Sequence, residues 1–120
     1  MSLFKRQSQF NGYLAKLIIY AQEQGFLTSL REVARPVEMQ RLYINTGRSR
    51  TMNSLHLQCV AADIYFQING RMANRTELEV IARFWESLDP LNSWGGMGKT
   101  LKDEPHFSTG IVKPEWVRLS

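Results

Sequence analysis

The sequence predicts an α+β fold in which helices pack on a small, mostly antiparallel sheet. Three observations predict it. Two segments, one near the N-terminus and one from Glu77 to Leu88, repeat apolar residues at three- and four-residue steps. Between them, CVAADIYFQI is a strand-length run rich in apolar and aromatic residues. Directly after it, Asn69-Gly70 is the pair that favours a two-residue hairpin, and so an antiparallel neighbour.

Taken in order, the first helix is expected from about Ser8 to Gln24. Phe10, Leu14, Leu17, Ile18 and Ala21 form its stripe, and Gly25 stands where a helix stop belongs. FLTSLREVA alternates enough for a strand. Pro36 then opens a short helix, PVEMQRLYINTG, with proline in the first turn and Gly47 past the end. GRSRTMNS is polar and aperiodic, which predicts a loop.

Cys59 to Ile68 is expected to be the core strand, followed by a short return strand. Asn74 or Thr76 is placed to cap the next helix, whose apolar face is Leu78, Ile81, Ala82, Trp85 and Leu88. After Pro90, the glycine-rich NSWGGMGKT predicts a loop. A short strand around His106-Phe107-Ser108 closes the sheet, and the tail from Gly110, carrying Trp116, is expected as an extended strap.

At 120 residues, 43% hydrophobic and 22% charged, the chain is expected to be one soluble globular domain, residues 1–120. No repeat or composition break marks a second domain. The longest apolar run, LAKLIIYA, is broken by Lys16, which excludes a spanning helix and predicts no stable membrane association. MSLFKRQSQFNG has no apolar stretch of the secretory type. The single cysteine, Cys59, rules out an internal disulfide and fits synthesis in a reducing compartment.

A net charge of +4 favours an anionic partner, such as nucleic acid, an acidic membrane surface or an anionic cell-wall polymer. Three arginines fall between Arg41 and Arg50, but no basic stripe interleaved with aromatics appears, so nucleic acid is not expected as a partner.

The chain has two histidines, His56 and His106, and each has an acid near it, Asp63 and Asp103. A catalytic zinc site uses three protein ligands and leaves one position open. His56, Asp63 and His106 supply suitable donors. Asp103, three residues before His106, is placed to serve as a base, and Pro105 restricts the chain just before that histidine. Spacing alone leaves the plain alternative open, that these are ordinary surface or core residues. Asp63 weighs against it, because an acid between Ala62 and Ile64-Tyr65-Phe66 is costly to bury unless paired or coordinated. Histidine with carboxylate suits zinc and also admits other first-row ions.

The segment with Ser54, His56, Ala61 and Asp63 resembles the S-x-H-x-x-G-x-A-x-D signature of the zinc D-Ala-D-Ala carboxypeptidase/dipeptidase family. That family includes phage endolysins that are L-alanyl-D-glutamate peptidases, and it shares the hedgehog/DD-peptidase fold. Asp103-Glu104-Pro105-His106-Phe107 resembles the endolysin branch's D-x-P-H-F element, and Trp94-Gly95-Gly96 its preceding WGG. Arg35 with Gln40 is similar to the family's R-x-x-x-x-Q region. The resemblance covers about residues 35–107.

It implies zinc on His56, Asp63 and His106, with Asp103 as general base and acid and Arg35 as partner of the carbonyl oxygen. Ser54 is implied near ligands or substrate, with a loop-to-strand cap as its plain alternative. Trp94 is implied in the cleft wall, with core packing as its alternative. Two departures stand out: the family's glycine is Cys59 here, and Met97 stands near a second aromatic of relatives. Cys59 is expected as a small buried residue.

The implied activity is cleavage of a peptidoglycan stem-peptide bond, L-Ala-D-Glu, by a monomeric phage or prophage endolysin without a separate cell-wall-binding domain. Such an enzyme is made in the host cytoplasm without a signal peptide and acts on the cell wall after release. A D-Ala-D-Ala carboxypeptidase or dipeptidase is the first alternative, although that branch resembles E-x-x-H. A non-catalytic zinc-stabilised binding module is the second.

Overall fold

The computed structural model describes residues 2–34, 37–47, 59–97 and 104–110. These form α1 (Leu3–Glu23), β1 (Leu27–Glu32), α2 (Val37–Asn45), β2 (Ala61–Ile68), β3 (Arg71–Met72), α3 (Arg75–Leu88), β4 (Asn92–Trp94), a 3-10 turn (Gly95–Met97) and β5 (His106–Thr109). The architecture is α+β, with a small antiparallel sheet in the order β1-β2-β5-β4. β3 extends the sheet by pairing with the far end of β2, Gln67 opposite Met72. No helix among the described residues is long and apolar enough to cross a membrane.

β2 is the central strand and sets the polarity of the sheet. Ala62, Ile64 and Phe66 are buried, while Tyr65 and Gln67 are exposed. Because successive side chains point to opposite faces, one face carries the core. Asp63, Tyr65 and Gln67 belong to the other. α1 and α3 supply much of the rest of the core, among them Phe10, Leu17, Ile81 and Trp85. Trp85 meets Phe10 edge-on at 5.8 Å and Phe107 at 6.0 Å between ring centroids. Phe107 in turn meets Phe66 at 5.9 Å. Such edge-to-face pairs add roughly 0.5–1.5 kcal/mol each beyond burial. They tie both helices to the two strands that carry Asp63 and His106.

α1 begins five residues before the expected Ser8. Ser2 is its N-cap, its hydroxyl accepting from the Lys5 amide at 3.1 Å. Leu3 and Arg6 continue the buried stripe. Arg6 hid this extension, since an arginine reads as a break in an apolar pattern. In the fold it is 5% exposed and donates to Gln9 at 2.9 Å, Asp89 at 3.5 Å and Thr109 at 2.7 Å.

The Tyr13 hydroxyl donates to the same Asp89 oxygen at 2.8 Å, and the Leu91 amide to its other oxygen at 2.8 Å. Burial pushes the Asp89 carboxyl up, but the Leu91 amide, Tyr13 and Arg6 together outweigh it and hold it below the ordinary carboxylate range. Hydrogen bonding to Asp89, then burial, raises Tyr13. Thr109 continues the network to Asn92, whose amide donates to the Trp85 carbonyl at 2.9 Å.

Asn74, of the two expected caps, is the one used. It forms a capping box with Glu77, 2.9 Å in each direction. The segment after Pro90 departs from the predicted loop: Asn92–Trp94 is a strand paired with β5, Trp94 opposite Phe107. Asn92 and Trp94 point inward and Ser93 outward. Three residues before a Gly-Gly pair are too few for that alternation to be read from sequence. The loop predicted around residues 48–54 and the strap from residue 111 onward lie outside the described residues.

Candidate active site

Asp63 and His106 are cross-strand partners in the β2–β5 register. Directly opposed residues share a face, so the two side chains stand side by side on the face away from the core. His106 Nδ1 lies 3.6 Å from Asp63 Oδ1, and each side chain is 22% exposed. Oδ1 itself is shielded from solvent. The register that brings them together is held beside the pair, where the Ile64 amide donates to the Pro105 carbonyl at 2.9 Å. At the other end of β5, the Thr109 amide donates to the Val60 carbonyl at 3.0 Å.

These two residues fit a metal on geometry. Donors 2.0–2.2 Å from a tetrahedral ion lie about 3.4 Å from one another. The observed separation is close to that and longer than a hydrogen bond. Imidazole nitrogen and carboxylate oxygen are also donor types that zinc takes. Among the described residues no set of three histidine, cysteine or acidic side chains comes together. Two of the three expected ligands are adjacent. His56, the third, lies outside the described residues, as do Asp103, Arg35 and Ser54.

Trp94 is 3% exposed and belongs to the core. Its indole Nε1 donates to the Glu104 carbonyl at 2.7 Å, gripping the turn that leads into His106. Gly96 explains why glycine follows this tryptophan, since a Cβ there would meet the Trp94 ring at 2.2 Å.

Arg75 is a residue that sequence reading missed. Its guanidinium lies 5.2 Å from the Trp94 ring centroid, donates to the Gly96 carbonyl at 2.8 Å and pairs with Glu104 at 3.4 Å. It thus ties the Trp94-Gly95-Gly96 segment to the Glu104-Pro105 turn. At the start of a helix it carries no signal beyond an ordinary solvated charge. Glu104, which stands beside Asp103 in sequence, is engaged in this pair.

Cys59, expected as a small buried residue, has a φ of +56° and is partly exposed. A left-handed backbone is one that favours glycine. Such a conformation costs a residue with a Cβ roughly 1–2 kcal/mol. It sits two residues before β2, at the end of the strand nearest Asp63.

The fold matches a solved structure, the L-Ala D-Glu endopeptidase ChiX of Serratia marcescens, with a TM-score of 0.65 and 29% sequence identity. The match covers 80% of this chain and 77% of that one. The chain therefore shares the fold of that endopeptidase. No protein-family model matches the chain, and no curated protein sequence does.

Proposed function

We infer that this protein is a zinc-dependent peptidase that cuts the L-Ala-D-Glu bond of the peptidoglycan stem peptide, in the manner of a phage endolysin. The observation that carries the reading is the Asp63–His106 pair. It stands on the open face of a sheet whose fold is similar to that of an L-Ala D-Glu endopeptidase. His56, Asp63 and His106 are the residues that would hold the metal. Bound zinc supplies a Lewis acid that polarises the carbonyl and acidifies water.

The remaining roles belong to side chains. Asp103 takes a proton on the substrate side and returns it to the leaving amine. Arg35 faces the carbonyl oxygen as negative charge develops there. Arg75 and Trp94 hold the turn between Asp103 and His106. The pairing of Glu104 with Arg75 supports Asp103, rather than its neighbour, as the base.

The test is mass spectrometry of fragments released from purified peptidoglycan, with a chelator-treated control. New fragments ending at L-Ala, absent with chelator, are expected. Loss of terminal D-Ala alone would move the protein to the carboxypeptidase branch. Zinc bound in stoichiometric amount with no fragments released would make it a binding module.

A further inference from the structure

The face that carries Asp63 and His106 also carries a groove. It has a volume of about 480 Å3 and is walled by Leu27, Ser29, Arg31, Tyr65, Gln67 and Met72. β2 is its floor. Side chains of residues 63, 65 and 67 project from the same face at steps of roughly 7 Å, so the groove begins one step from Asp63 and runs away from it. Leu27 and Met72 stand 69% and 50% exposed at its far end.

Arg31 stands on β1 at the end of the groove nearest Asp63. β1 changes register between Leu30, opposite Ile64, and Glu32, opposite Asp63. Arg31 is the extra residue of this bulge, a device that re-aims a side chain. Its guanidinium lies 4.9 Å from the Tyr65 ring centroid and its Nε donates to the Ser29 hydroxyl at 2.8 Å. These contacts set the plane of the fork and occupy one N–H donor of the five a guanidinium has. Arg6, Arg71, Arg75 and Arg83 each face a carboxylate within 3.5 Å. Among the described residues no carboxylate pairs with Arg31.

An oriented guanidinium stacked on an aromatic ring is a receptor for a carboxylate. A glutamyl residue in a peptide uses one carboxyl in the chain and presents the other. We propose that Arg31 and Tyr65 form a subsite for that free carboxylate, so that Arg31 makes the enzyme prefer an acidic residue beside the cleaved bond. This rests on the function proposed above. Leu27 and Met72 then cover the aliphatic part of the following residue. An extended chain advances about 3.3–3.6 Å per residue, so a group one or two residues from the bond at Asp63 reaches Arg31.

The experiment compares two synthetic stem peptides, one with the D-Glu carboxylate free and one with it amidated. The wild type is expected to favour the acid by about tenfold in kcat/KM, the worth of one charge-assisted hydrogen bond. Arg31→Gln should raise KM for the acid by about the same factor, leave kcat within about twofold, and leave the amide unaffected. Arg31→Lys should restore part of the preference, since it keeps the charge and loses the fork. Arg31 is exposed, and circular dichroism checks that the variants fold.

Equal losses on both peptides, or no loss on either, would overturn the subsite while leaving the peptidase reading intact. Failure of the wild type to cut either peptide would overturn both.

Discussion

The two faces of the sheet each hold an acid beside a basic side chain, and they hold them differently. Under the helices, Asp89 receives Arg6, Tyr13 and the Leu91 amide, and Arg6 goes on to Thr109 and Gln9. The donors and acceptors close on one another, and Arg6 is 6% exposed in its side chain. On the open face, Asp63 and His106 are 22% exposed and separated by 3.6 Å, the spacing of two ligands around a common centre. The closed network joins α1, the end of α3 and β5. The open pair joins two strands that the core already holds. A closed polar cluster of this kind is architecture, whereas a partly exposed aspartate and histidine side by side on paired strands are the arrangement a metal site uses.

The comparison breaks most readily at Asp63. Asp63→Asn is expected to lower peptide cleavage by about a thousandfold, close to 4 kcal/mol in the barrier. It should move the melting temperature little, because the side chain faces away from the core. Activity is read on the synthetic stem peptide and stability by thermal unfolding. A large stability loss with activity retained would make Asp63 a structural acid like Asp89.

Arg6→Met should do the reverse. It removes the cation from a largely buried carboxylate, a class of change that costs about 3 kcal/mol. Urea unfolding should record that loss, with kcat of the folded fraction unchanged. Arg6 and Asp63 lie on opposite faces, so in the double variant the two effects should add.

Acid sharpens the same contrast. The Asp89 carboxyl is held below its ordinary value in the folded state. Its contribution is therefore present above the ordinary carboxylate range and is lost as pH falls through the native value. Stability measured from pH 6 to pH 2 should decline on the acid side, and Arg6→Met should flatten that decline. Tyr13 acts at the other end, since its raised hydroxyl contributes stability that is lost as pH climbs through its folded value.

The smallest effect belongs to Cys59. Cys59→Gly relieves a left-handed backbone at the price of a more flexible unfolded chain. A net gain of up to about 1 kcal/mol is expected by urea unfolding. Cys59→Ala keeps the Cβ and should bring no such gain.

Much of the fold was legible because its signals are local. The stripe of Phe10, Leu14, Leu17 and Ala21, the Asn69-Gly70 turn and the Asn74 cap each report on a few neighbouring residues. Arg6 and the Asn92–Trp94 strand were not legible. Arg6 is buried only because Asp89 and Thr109, far away in sequence, come to meet it. Three residues show no period until β5 lies beside them.

At the site, the acid inside an apolar strand singled out Asp63, and the β2–β5 register sets His106 beside it. Nothing in the chain announced Arg75 or Arg31. Their roles come from a tryptophan and a tyrosine brought to them by the fold, and in Arg31's case from a bulge that no composition signals.

The most direct test of the open-face pair is zinc content by native mass spectrometry, read on folded protein without any reference to turnover. The wild type is expected to hold one zinc per chain. Asp63→Asn and His106→Ala should each lose it at zinc concentrations that saturate the wild type, while Arg6→Met retains it. Equal zinc in the wild type and both open-face variants would contradict the account, because Asp63 and His106 would then be neighbours on a strand pair and nothing more.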